Sequence, residues 1–166
     1  MNLTAIRPGE TVFLDANIII YAALSKSLQC QQLLRRCVEG EVAGITATSQ
    51  LAETMHRIMM FEAQSRNHAG AGNPFRQLSE HPDRIRELSK HADVVKAILG
   101  SGLRIEPVVQ EDFTVAVLLQ KLHGVLTNDA LMIAVMERVR VGSLATADKV
   151  FRRLSQFRIY QPDDIA

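Results

Sequence analysis

The sequence predicts an α/β fold: a central, mostly parallel sheet of four to five strands in a single three-layer domain, with helices on both faces. Three observations predict it. Short apolar stretches of strand length alternate with longer stretches of helical periodicity, the pattern of a parallel sheet. Gly40, Gly100, Gly102 and Gly124 punctuate the ends of the periodic stretches. The chain has 166 residues, 47% of them hydrophobic, which supports one proper core and not two.

The elements follow in order. Thr11–Leu14 is a short apolar strand that runs straight into Asp15. Asn17–Leu24 begins a helix, and Leu28–Val38 carries Leu33, Leu34, Cys37 and Val38 at helical spacing. Val42–Thr46 is the second strand and Ser49–Arg66 a long helix. His68–Pro82 contains Gly, Asn and Pro, breaks the periodicity, and is read as an inserted loop. Pro82 suits a first helical turn, and that helix runs to about Leu99. Leu103–Val109 is the third strand. Glu111–Leu122 is an amphipathic helix closed by Gly124, and Thr127–Val139 is a helix almost wholly apolar after its first turn. Gly142–Thr146 is the fourth strand, Lys149–Leu154 a short helix, and Arg158–Tyr160 an edge strand. No internal repeat or linker interrupts residues 1–166, so they are read as one domain.

Charge and cysteines narrow the function classes. The formal net charge is +1, so any contact with nucleic acid must come from a local basic face. Arginines and lysines gather at Arg35-Arg36, from Arg76 to Lys96, and at Arg152-Arg153 with Arg158. Two tyrosines and no tryptophan give no signal of extensive base stacking. Cys30 and Cys37 lie in one helical segment, about 10 Å apart at helical rise, beyond the roughly 7 Å that a disulfide spans. Met1 opens no basic stretch followed by an apolar one, and no apolar run reaches membrane-spanning length. The expectation is a cytoplasmic protein with no membrane partner.

Four acids carry the chemistry. In parallel α/β sheets, ligands bind beyond the carboxyl ends of the strands. Asp15 ends the first strand, and Asp148 follows the fourth. Asp129 opens the helix before the fourth strand, and Glu53 lies in the second turn of the helix after the second. Singly, three have structural explanations. Asp129 favours a helix N-terminus that Thr127 or Asn128 could cap, Asp148 could cap the next helix, and Glu53 could pair with Arg57 at i+4. Together they form an oxygen-only set that suits Mg²⁺ or Mn²⁺, because like charges gather only where cations neutralise them. The five histidines show no zinc spacing and are read as surface or loop residues. Met59, Met60 and Phe61 are consecutive and cannot all face one core, so part of that surface is expected to self-associate.

Leu14-Asp15-Ala16-Asn17, Ala52-Glu53, Thr127 through Ala134, and Leu144 through Asp148 resemble the successive motifs of the PIN family, which includes the VapC-type toxins of toxin–antitoxin pairs. The resemblance extends from Thr11 to Tyr160. It implies a Mg²⁺- or Mn²⁺-dependent endoribonuclease acting on single-stranded RNA. Asp15, Glu53, Asp129 and Asp148 would be its metal ligands and catalytic groups, and Asn17 and Thr146 their polar support. It also implies an antitoxin partner. The chain departs from the pattern at Val150, where many members carry a second acid, and in its longer stretch between Glu53 and Asp129. A phosphatase with an aspartyl nucleophile would place a second acid where Asn17 stands. The rival of another class is a non-catalytic scaffold that binds RNA or protein.

Overall fold

A computed structural model describes residues 1–68 and 73–165. Strands β1 (Thr11–Leu14), β2 (Ala43–Ala47), β3 (Arg104–Glu106), β4 (Ser143–Ala145) and β5 (Arg158–Tyr160) form one sheet in the order β3-β2-β1-β4-β5. Every neighbouring pair is parallel, so the sheet is parallel throughout. Helices α1 (Ala16–Ala23), α2 (Leu28–Val38), α3 (Thr48–Ser65), α4 (Pro74–Ser79), α5 (Pro82–Arg86), α6 (Lys90–Leu99), α7 (Gln110–His123) and α8 (Thr127–Arg138) connect and cover it. Short 3₁₀ turns span Leu3–Ala5 and Lys149–Arg153.

Strand β1 shows why the sheet is covered on both faces. Successive side chains on a strand point to opposite sides. Phe13 enters a core with Leu119, Met132 and Ile133 of α7 and α8. Val12 and Leu14 enter the opposite core, with Ile18, Ile19 and Leu33 of α1 and α2. All three strand residues are fully buried, each contributing about 1.5–3 kcal/mol of apolar burial. Cys30 and Cys37 are buried free thiols in the second core, as their helical spacing implies.

The region after α3 differs from the sequence reading. His68–Pro82 is not all loop, because Pro74–Ser79 is a helix. Asn73 caps it, accepting the backbone N–H groups of Phe75 and Arg76 at 3.1 and 3.2 Å, and Pro74 occupies its first turn. Residues 69–72 of that stretch lie outside the described residues. The helix expected from Pro82 to Leu99 is two helices, α5 and α6. The break is imposed from a distance. Glu62 of α3, fully buried, accepts the Ser89 and Lys90 backbone N–H groups at 3.1 and 2.9 Å and starts a new helix there. Strand β3 is also shorter than expected and stops before Pro107, which has no N–H for the ladder.

Gly124 closes α7 in the left-handed region, at φ 60°, its N–H donating to the Gln120 carbonyl at 2.8 Å. Arg138 at the end of α8 fixes the opposite corner. It binds Asp112 of α7 with Nε–Oδ1 at 2.9 Å and donates to the Pro107 carbonyl at 2.6 Å. Among the described residues, no helix is long and apolar enough to cross a membrane.

Candidate active site

The order β3-β2-β1-β4-β5 places chain reversal at β1, between β2 and β4. At such a switch point the loops leaving neighbouring strands diverge and open a crevice at their carboxyl ends. Asp15 leaves β1 there, held by its backbone N–H on the Ala145 carbonyl of β4 at 3.0 Å. Thr146 leaves β4 beside it. Its hydroxyl donates to Asp15 Oδ2 at 2.6 Å and accepts the Asp148 backbone N–H at 3.0 Å. Asn17, in the first turn of α1, donates to Asp15 Oδ2 at 2.5 Å and to Thr146 Oγ1 at 3.2 Å. Its Oδ1 accepts the Ala147 N–H at 2.9 Å. Asn17 and Thr146 thus tie together the two loops that carry Asp15 and Asp148.

Asp15 is 6% exposed. Burial pushes its carboxyl above the ordinary carboxylate range, with Glu53 adding to the rise and the Thr146 and Gln50 side chains opposing it. Asp129, in the first turn of α8, is pushed up to about 6. Burial is the main cause, followed by the charges of Asp15, Asp148 and Glu53. Asp129 therefore feels the other three predicted acids, and Asp15 feels Glu53, although the four come from separate elements.

Their local bonds differ. The Asp129 side chain accepts the Leu126 backbone N–H, so the acid itself closes the start of α8, and neither Thr127 nor Asn128 caps it. Asn128 instead donates to Glu53 Oε2 at 3.2 Å, while Arg57 approaches Glu53 Oε1 at 3.6 Å. Asp148 does cap the Lys149–Arg153 turn, Oδ1 accepting the Val150 N–H at 2.8 Å. Val150 packs against the hydrophobic core, so a fifth acid has no counterpart at that position.

Sequence reasoning missed Gln50. It is 1% exposed on α3, one helical turn before Thr54, and its amide lies between Asp15 and the Met132 sulfur, 3.4 Å from the latter. Thr54 Oγ1 is buried without a hydrogen-bond partner. The histidines are less uniform than expected: His56 is exposed, but His68 and His91 each bury an unpartnered Nδ1. The predicted basic clusters are paired in part. Arg36 binds Glu41, Arg76 binds Glu80, Arg158 binds Glu10, and Arg152 binds Gln161.

The donor set bears on whether a metal fits. Hard carboxylate oxygens suit a hard divalent cation, and Asp129, raised by burial and then by three like charges, would be relieved by one. Among the described residues no three His, Cys, Asp or Glu side chains are placed to hold a metal ion as they stand. Glu53 is engaged by Arg57 and Asn128 and Asp148 by its turn, so ligation requires these side chains to reorient.

A family model for the PIN domain matches residues 12–156, and the chain belongs to that family. None of the curated proteins matches it. Among solved structures it is similar in fold to VapBC2 from Rickettsia felis bound to a promoter DNA fragment, at TM-score 0.61 and 16% identity, covering 92% of this chain and 99% of that one. It is also similar to VapC20 from Mycobacterium tuberculosis, a Sarcin-Ricin loop cleaving toxin, at TM-score 0.58 and 16% identity, covering 87% and 95%. A toxin–antitoxin complex from Klebsiella pneumoniae gives TM-score 0.56 at 16% identity, covering 88% and 94%.

Proposed function

We propose that this chain is a Mg²⁺- or Mn²⁺-dependent endoribonuclease that hydrolyses single-stranded RNA, with Asp15, Glu53, Asp129 and Asp148 as its metal ligands and catalytic acids. One observation supports the reading: Asp129 feels the charges of Asp15, Glu53 and Asp148, and Asp15 is held by Asn17 and Thr146 at the switch point of a parallel sheet. A bound Mg²⁺ or Mn²⁺ would supply charge stabilisation at the phosphate and a source of hydroxide near neutral pH. Asp15 is the anchor, its carboxylate fixed by Asn17 and Thr146. Asp148 retains Oδ2 for a ligand while Oδ1 holds its turn. Glu53, which now faces Arg57 and Asn128, would help hold the cation, and Arg57 would then be available to a phosphate. Asp129, near 6 in the metal-free protein, would be held ionised once a cation offsets the neighbouring acids.

The purified protein with Mg²⁺ or Mn²⁺ should nick an unstructured RNA, and chelator should stop it. Asp15→Asn should lower the rate at least about 100-fold, since even partners behind a ligand are worth 10–100-fold. Cleavage that survives both treatments overturns the mechanism. Solved relatives in fold include toxin–antitoxin complexes, which supports a toxin role here with an antitoxin as partner. Self-association fits α7 better than Met59–Phe61. Phe113, Val117, Leu118 and Leu122 are more than half exposed along that helix, and Leu126 lies just beyond it, whereas Met60 is buried.

A further inference from the structure

A cavity of about 260 Å³ opens between α1, the chain after it, α3 and α4. It is smaller than the roughly 300–1,000 Å³ of a site for a whole drug-sized ligand, and suits a single flat ring system. Its walls bring together Tyr21, His56, Phe61 and Phe75 with the cations Lys26 and Arg57, and none of its lining residues is acidic. His56 and Phe75 are already stacked, centroids 5.3 Å apart and planes 4° from parallel. Phe75 remains 57% exposed, far more than a packing aromatic needs. The Lys26 ammonium lies over the Phe61 ring, 5.1 Å from its centroid.

The same helix carries the cavity and the acids. Arg57, which lines the cavity, follows Glu53 by one turn of α3, and Phe61 lies about 12 Å from Glu53 at helical rise. On the other wall, Tyr21 belongs to the helix that Asp15 opens.

We infer that this cavity is a subsite for an unstacked nucleobase of the RNA strand, adjoining the cleavage site, with Lys26 and Arg57 meeting the flanking phosphates. The inference rests on the ribonuclease reading above. Single-stranded RNA is held elsewhere by this chemistry: splayed bases stack on Phe, Tyr or His, while cations track the backbone. An apolar peptide side chain would use the rings but not the two cations that line the same cavity. A phosphate beside Arg57 would offer it the same kind of partner as the Glu53 carboxylate does now.

The test is binding of a short, unstructured, fluorescently labelled RNA to the full chain in Mg²⁺, in an Asp15→Asn background that prevents turnover. Phe75→Ala should weaken binding about five- to 100-fold, the value of one stacked base, and Phe75→Tyr should restore it. An abasic strand of equal length should bind the parent protein at least as weakly as RNA binds the Phe75→Ala protein, and should not distinguish the two. Lys26→Ala should lower the salt dependence by about one phosphate contact. Unchanged RNA affinity in the Phe75→Ala protein, with an intact melting transition, overturns the subsite. So does an abasic strand that binds as tightly as RNA. Loss of an amphipathic peptide's binding on Phe75→Ala, with RNA affinity unchanged, assigns the cavity to a protein partner instead. A protein with native Asp15 that cleaves RNA while the subsite variants bind normally leaves the nuclease reading standing. One that neither binds nor cleaves RNA overturns both.

Discussion

Asp129→Asn separates a working acidic cluster from an incidental helix-capping acid. The Asp129 carboxyl rises from its ordinary 3.8 to about 6 on folding. The sign follows from linkage. As pH falls, the folded protein takes up this proton before the unfolded chain does, so stability rises between about pH 6 and 3.8. Above pH 6 the charged acid destabilises the metal-free fold, by at most about 3 kcal/mol. Solvent reaching this partly buried site reduces that to the order of 1–2 kcal/mol. Asparagine removes the charge and keeps an oxygen for the Leu126 N–H. The metal-free variant should therefore melt roughly 2–8 °C above wild type near pH 7.5, and the difference should vanish near pH 4. Mn²⁺ at about 100 times its dissociation constant should add about 2.7 kcal/mol to wild type and less to the variant. Glu53→Gln should blunt the metal response too, although it stands far away in sequence. An Asp129→Asn protein that is less stable at neutral pH by about 0.3–1 kcal/mol, with its metal response intact, would return Asp129 to the role of a favourable acid at a helix start and refute the cluster.

Three further outcomes test the frame around the site. In Gly44→Ala, the added Cβ would collide with Leu103 and lie 2.8 Å from the Cys37 sulfur, so thermal melting should show a loss of about 1–3 kcal/mol; wild-type stability would mean that Leu103 and Cys37 do not pack closely over Gly44. Glu62→Ala strips the N-terminus of α6 of its acceptor and should cost about 1–3 kcal/mol, while Glu62→Gln, which keeps an acceptor oxygen, should cost less; equal losses would show that capping is not the cause. Light scattering should find a dimer that Leu118→Glu dissociates, and a clean monomer in the parent protein at high concentration would count against self-association through α7.

What the sequence discloses is what one element, or the order of elements, contains. Thr11–Leu14 running into Asp15 announces both a central strand and the acid at its end, whereas β3 and β5, Arg-Ile-Glu and Arg-Ile-Tyr, are short edge strands with one buried residue each. Asp129 and Asp148 are legible because each sits at the start of a helical turn in a fixed order. The split of α5 from α6 is illegible because its cause, Glu62, stands 27 and 28 residues away and acts through a buried carboxylate. Gln50 is illegible for a similar reason: an amide inside a long helix carries no pattern until α3 sets it between Asp15 of β1's end and Met132 of α8. The aromatic cavity is diluted in the same way, since a 5% aromatic content averages over rings that α1, α3 and α4 gather at one place. These cases share α3. Its packing on α1 through Ala16, Ile20 and Ile58 fixes where Glu53 meets Asp15 and, one and two turns later, where Arg57 and Phe61 meet Tyr21. The acids and the cavity are therefore two consequences of a single helix crossing. A shift of α3 that weakened one would displace the other.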